Sequence, residues 1–253
     1  MLMDQLIQFA MSRAANKLVQ DLRVGINYTA AMLDDGSCGL AYSFHQELGY
    51  FQGILEGAGS FTGQPARQLI PLAASTDLLK SVVGVAVLNA VVNSRAVLES
   101  NTGLRQGKGL EWLGLTPQDT VGMVGHFGPL VPRVKQQVKE LFILERRTME
   151  DEWVFPDWAA PQILPQCDVI ILTGTTVINK TIDMLLPYCT GARQIAVLGP
   201  SSPLVPTIFW PVGVTVLAGM KVLDGPAVLK VIGEGGGARN CNKYMQALGF
   251  SKY

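Results

Sequence analysis

The chain has 253 residues, 48% of them hydrophobic and 16% charged, and its 20 basic and 20 acidic side chains cancel. A balanced chain without a basic run interleaved with aromatics has no field to draw it to nucleic acid or to an anionic membrane, so neither is an expected partner. The length allows one large domain or two modest ones with a substantial core.

The opening "MLMDQLIQFAMSRAANKL" places Asp4 early, lacks a basic start and spaces its apolar residues helically. It reads as a helix of about 18 residues, not as a secretory signal. "LRVGINYTAAML" is a strand, Asp34-Asp35-Gly36 a turn and "SCGLAYSF" a second strand, together an antiparallel hairpin. The glycine-rich segment from Gly49 to Gly63 reads as a loop. Ser75 or Thr76 is expected to cap a helix running to about Asn93, since a hydroxyl there accepts from an orphan amide. Within it, Val82–Val92 is the longest apolar run, too short for the roughly 20 residues a bilayer requires, and so a buried helix. Residues 101–118, rich in glycine, form a connector. "RQGKGLEWLG" inside it resembles an antibody framework segment, but the cysteine–tryptophan–cysteine spacing of an immunoglobulin domain is absent. The expected division is therefore an α+β domain over 1–100, the connector, and a ligand-binding domain over 119–253.

From Asp119 the rhythm changes. "TVGMVG", "LFILER", "CDVIILTG", "RQIAVLG" and "GVTVLAG" are short apolar strands. Helices separate them: one from Leu130 to Glu140 with Leu130, Val134 and Val138 on one face, and one carrying Ile178, Ile182 and Leu185. A last helix begins near Asp224-Gly225-Pro226. Continuous apolar strands alternating with helices predict an α/β fold, a Rossmann-like doubly wound parallel sheet covered on both faces.

Ligands of such sheets bind at the carboxyl ends of the strands. The turn Gly125-His126-Phe127-Gly128 falls there, where a helix start would offer amide donors to an anionic or nucleoside-like group. It is half a dinucleotide fingerprint, because Met123 occupies the place of the first glycine. Glu145 ends the next strand about 20 residues later, where an acid binds ribose hydroxyls; alternatively it pairs with Lys139, Arg146 or Arg147 at a surface turn. His126 either moves a proton near pH 7, or caps the turn or packs on Phe127. His45 could reach the same cleft if the first domain folds over it. In "TGTTVINKT", Thr175 and Thr176 cap a helix or face the ligand, and Asn179 directs an amide at the cleft. The prolines of "GPSSPLVP" stiffen a loop presenting Ser201 and Ser202, neither in a G-x-S-x-G elbow. "GEGGGARN" is a flexible helix exit or a further ligand contact. Cysteines 38, 167, 189 and 241 lack zinc-site spacing and read as reduced, buried thiols of a cytoplasmic protein.

The segments "TVGMVGHFGPL", "LERR", "TGTTVINKT" and "GPSSPLVP", with "VGINYTAAML", "GLAYSF" and "GVAVLNAVVN" before them, resemble the proposed heavy-metal-chelation family over nearly the whole chain. That resemblance implies an enolase N-terminal-like domain followed by a Rossmann-like domain, a site between them, and some likeness to Rossmann-like methyltransferases. It implies a role in making or processing pterin-, flavin- or siderophore-like chelators. By the matching motifs it points to His126, Glu145, Thr175, Thr176, Asn179 and Ser201. It also points to Asn89 and Asn93, which either present amides across the domain interface or serve polar packing. S-adenosylmethionine or another nucleoside-like ligand is the implied cofactor class.

Direct chelation of a soft metal needs converging thiolates or imidazoles, and two histidines with four scattered cysteines provide no pattern for it. The expected ligand is thus organic, a small molecule that itself binds metal. A non-catalytic metal or metal-chelate binder is the alternative. Sparse surface charge makes a symmetric homodimer the expected assembly.

Overall fold

The computed structural model describes residues 1–47, 55–146 and 151–253. Residues 49–54 of the predicted glycine-rich loop, and Arg147 as a partner for Glu145, lie outside them. The first helix, Leu2–Ala14, is shorter than expected and buries Leu2, Met3, Leu6, Ala10 and Ala14. The segment read as one strand is two, β1 (Val19–Val24) and β2 (Tyr28–Leu33), because the chain turns at Gly25, whose amide donates to the Tyr28 carbonyl at 3.0 Å. β3 (Cys38–Tyr42) follows the predicted Asp34-Asp35-Gly36 turn and completes a three-stranded antiparallel sheet in the order β1-β2-β3.

The apolar run folds as the helix Leu78–Val92, buried except at Leu78 and Lys80. Its cap is Asp77 rather than Ser75 or Thr76: the carboxylate accepts from the amides of Leu79 (2.9 Å) and Lys80 (3.1 Å). A capping oxygen must stand immediately before the first helical residue, and only Asp77 does. The helix lies on β2 and β3 with its backbone almost touching the sheet. A Cβ on Gly39 would sit 2.1 Å from the Ala90 nitrogen and 2.4 Å from the Ala86 carbonyl.

The second sheet has eight strands: β4 (Arg105–Gln106), β5 (Thr120–Val124), β6 (Glu140–Glu145), β7 (Val154–Pro156), β8 (Val169–Thr173), β9 (Gln194–Leu198), β10 (Val216–Val222) and β11 (Met245–Ser251). They lie in the order β4-β11-β10-β9-β8-β5-β6-β7. Neighbours from β10 to β7 are parallel, and β11 runs antiparallel to both β10 and β4. The fold is α/β with a mainly parallel sheet, as the apolar strands predict. The expected connector supplies β4, so it is stitched to the sheet edge through β11.

Period-two alternation divides the strand side chains between two layers. Val121, Met123, Val169, Ile171 and Leu198 pack with Leu110, Leu113 and Val134 on one face. Ile170, Leu172, Val197 and Leu217 face the opposite way and share one core with Leu6, Val82, Val85 and Leu88 of the N-terminal half. The helix Gly225–Gly233, capped by Asp224 through the Ala227 amide, covers the far side of the small sheet. There Val228, Leu229 and Ile232 meet Ala30, Met32 and Leu40. The small sheet is thus held between a helix of its own half and one of the other.

Two predicted helices are shorter. That of Leu130–Glu140 is Val131–Lys135, although Leu130, Val134 and Val138 still pack together on the sheet. The one carrying Ile178, Ile182 and Leu185 breaks into Thr175–Ile178 and Ile182–Leu185 at Lys180, whose φ is 62°. Lys180 Nζ donates instead to the Ser75 carbonyl (2.6 Å) and Ser81 Oγ (2.7 Å), tying the halves together. Among the described residues no helix is long and apolar enough to cross a membrane.

Asp119, at the entry to β5, accepts from Arg193 Nη2 (2.6 Å) and the Thr116 amide (2.6 Å). Burial alone would raise its pKa, but these hydrogen bonds outweigh it and the carboxyl titrates below its ordinary value. A depressed folded pKa contributes stability above the unfolded value, lost as pH falls through the folded one. Asp119→Asn is therefore expected to lower Tm at pH 7. The gap from the parent protein should narrow as pH drops through about 4 and below. A pH-independent gap in paired thermal melts would contradict this.

Candidate functional site

Four parallel strands end on one side of the second sheet: β5 at Val124, β6 at Glu145, β8 at Thr173 and β9 at Leu198. The strand order reverses between β5 and β8, where the two outgoing loops diverge and leave a crevice. Gly125 opens the first loop with φ +92°, and a Cβ there would meet Thr173 Cγ2 at 2.8 Å, so only glycine turns the chain at this point.

The turn is knitted inward. Gly125 donates its amide to the Leu144 carbonyl (2.8 Å), His126 to Glu145 Oε2 (3.1 Å), and Gly128 to the His126 carbonyl (3.1 Å). The second carboxylate oxygen of Glu145 accepts the Arg146 amide at 2.9 Å. With those amides engaged and only a five-residue helix beyond, the turn offers the cleft the side chains of His126 and Phe127 rather than a row of free donors.

The loop after β9 is positioned from beneath by the buried helix. Asn89 Nδ2 donates to the carbonyls of Leu40 (2.8 Å) and Ser201 (3.0 Å). Asn93 Nδ2 donates to the Ser202 carbonyl (3.0 Å), and its Oδ1 accepts the Leu204 amide (2.9 Å). Ser201 Oγ accepts the Tyr42 amide at 3.0 Å. The two asparagines are 0% and 4% exposed and act on the cleft through the backbone they hold.

Between the small sheet and these loops lies a cleft with two adjoining lobes of about 290 and 650 Å³. The smaller takes Tyr28, Tyr42, Phe44 and Glu47 from the N-terminal half, and Gly125, His126, Phe127, Glu145, Thr175 and Ser201 from the other. The larger is lined by Trp158, Thr176, Asn179, Met184, Leu185 and Tyr188, and by the Arg146–Asp157 pair (3.1 Å). Phe44, Glu47, Gly125, Glu145, Thr173 and Thr175 border both.

Eight residues expected at a site therefore line the cleft, while Gly128, Asn89 and Asn93 stand behind it. His45 packs against Tyr42 with ring centroids 6.2 Å apart and lines neither lobe. Asn179 faces the larger lobe with its Oδ1 held by the Thr181 amide and hydroxyl. Thr176 Oγ1 donates to the Thr173 carbonyl at 2.7 Å.

Sequence reasoning missed Tyr28, Tyr42, Phe44, Glu47 and Trp158. The run "AYSFHQE" leaving β3 carried a signal, aromatic residues two apart followed by an acid, but nothing local says that this strand end faces another sheet. Phe44 is 3% exposed yet holds φ 53°, a conformation bulky residues avoid, at the border of the two lobes. Burial, with Tyr42 beside it, pushes Tyr28 up to about 12, so its hydroxyl stays neutral. Burial likewise pushes Cys38, Cys167 and Cys189 up to about 12 and raises Cys241. Protonated thiols are poor metal ligands. Among the described residues, no three of His, Cys, Asp or Glu converge to hold a metal ion.

Two crystal structures of DUF364-family proteins of unknown function share this architecture. That from Desulfitobacterium hafniense superposes with TM-score 0.83 at 23% identity, covering 97% of each chain. That from Pyrococcus horikoshii superposes with TM-score 0.83 at 24% identity, covering 98% of each. An uncharacterised protein of Methanocaldococcus jannaschii is 29% identical over 161 residues, 62% of this chain and 60% of that protein's length. Two family models match, DUF4213 over residues 7–92 and DUF364 over 108–248, both described as "Putative heavy-metal chelation". With the second model spanning more than half of its length, this chain belongs to the DUF364 family.

Proposed function

We propose that the protein binds and chemically transforms a small, polar, heterocyclic metabolite of pterin, flavin or siderophore type in the two-lobed cleft, and so takes part in heavy-metal chelation. In this reading the second sheet is a Rossmann-like domain and the first half an enolase N-terminal-like one. The observation that carries it is the cleft itself. It opens where the strand order reverses, and both halves line it with aromatic walls and a few fixed polar groups. His126 moves a proton, Glu145 fixes the turn and meets the ligand, and Thr175 and Ser201 orient it. The metal enters on the metabolite rather than on the protein, in keeping with thiols that burial holds protonated.

Native mass spectrometry of protein purified from metal-rich cells tests this. One organic ligand per chain, lost on denaturation, is the expected result. Metal retained stoichiometrically without an organic ligand would replace this reading by the non-catalytic metal binder. Calorimetric titration with S-adenosylmethionine tests the methyl-transfer version, and no heat at millimolar ligand would remove that version.

A further inference from the structure

The small lobe has a character that the heterocycle reading does not require. Three aromatic rings of the N-terminal half line it, with Tyr28 and Tyr42 at 5.7 Å between centroids and Tyr42 and Phe44 at 5.2 Å, both edge-on, and Phe127 joins them from the other half. Glu47 and Glu145 are its two carboxylates, and no lysine or arginine lines it among the described residues. The Tyr28 hydroxyl has no hydrogen-bond partner among the described residues. A free anion would meet Glu47 with the amides of Gly125, His126 and Gly128 already engaged. A strongly hydrated metal cation would need several converging ligands, and among the described residues no three of His, Cys, Asp or Glu come together to supply them. A weakly hydrated organic cation needs neither. Ring faces attract it through their quadrupoles, and one carboxylate at the rim adds charge complementarity.

We propose that the small lobe is a recognition site for an organic cation, a quaternary ammonium or sulfonium head, set among Tyr28, Tyr42, Phe44 and Phe127 with Glu47 as its counter-charge. The inference rests on the reading that the cleft holds a small organic ligand, and gives that ligand, or its co-substrate, a cationic end. Its volume of about 290 Å³ accommodates such a head, and Phe44, in its left-handed conformation, borders the passage to the larger lobe.

The test titrates the full-length protein calorimetrically with choline and with its neutral isostere, in which carbon replaces the quaternary nitrogen. Choline is expected to bind about tenfold more tightly, the scale of a desolvated cation–π contact. Glu47→Gln, at an exposed position and checked by circular dichroism for an unchanged fold, is expected to weaken choline fivefold or more and to leave the isostere unchanged. Equal affinity for the two probes, an unchanged choline affinity in the variant, or displacement of choline by inorganic phosphate would each overturn the cation site. If choline does not bind while native mass spectrometry still finds a retained organic ligand, the cation site alone is lost. If neither is seen, the cleft reading falls with it.

Discussion

Gly39→Ala is expected to destabilise the protein by about 3 kcal/mol, the upper range for forcing a methyl group into a filled core. The added Cβ would stand 2.1 Å from the Ala90 nitrogen, 2.4 Å from the Ala86 carbonyl and 2.5 Å from the Asn89 carbonyl carbon. These are backbone atoms of one helix, so no side chain can rotate away and the helix itself must move off the sheet. That displacement also draws Asn89 from the Leu40 and Ser201 carbonyls it bridges. Two readouts should therefore change together. The urea midpoint should fall, and whatever ligand the protein retains on purification should dissociate more readily. A variant with unaltered midpoint would mean that helix and strand are not in backbone contact.

The second large effect concerns Asn93. Its amide satisfies the Ser202 carbonyl and the Leu204 amide at once, in a place 4% exposed. Asn93→Ala leaves both backbone groups buried and unpaired, and each such group costs about 1–3 kcal/mol. A loss of about 3 kcal/mol is expected in chemical denaturation, and hydrogen exchange should place the damage. The Leu204 amide should lose its protection disproportionately, while amides within β8 change only as the global stability does. Uniform loss across the molecule would show that the asparagine supports the core generally and not the loop after β9.

These two variants bear on how the site is made. His126, Glu145, Thr175 and Ser201 lie at the strand ends of the second sheet or on the segments that leave them, yet Tyr42, Asn89 and Asn93, which hold the loop after β9, come from the N-terminal half. Asn89 and Asn93 were found through resemblance as candidate ligand contacts. The structure gives their amides to backbone carbonyls and one backbone amide, the polar-packing alternative. The half-fingerprint at Gly125–Gly128 pointed to the right corner of the fold. What it could not reveal is that Glu145, brought beside it by parallel pairing of β5 and β6, takes up the His126 amide. A glycine pattern records that a backbone turns tightly, not which acceptor its amides find.

The elements legible in the chain share one physical basis. β5, β6, β8, β9 and β10 are short apolar runs buried on both faces, and the helix Leu78–Val92 is apolar around nearly its whole circumference, so burial is written into composition alone. The Asp34-Asp35-Gly36 turn and the Asp224 start carry local side-chain chemistry that acts within a few residues. The strands β4, β7 and β11 were not legible. Two are only two and three residues long, and the pairing of β4 with β11 joins segments from opposite ends of the second half. The break at Lys180 escaped for the same reason, since its ammonium group is satisfied about a hundred residues away.

Sequence by itself determined that this chain builds a mainly parallel sheet with a smaller α+β half before it, and where the first outgoing loop of that sheet lies. Only the tertiary structure decided that Tyr28, Tyr42, Phe44 and Glu47 stand opposite that loop. Hydrophobic periodicity reports how much of each segment must leave water, whereas the facing of two sheets is set by packing between residues remote in sequence, for which local pattern carries no term.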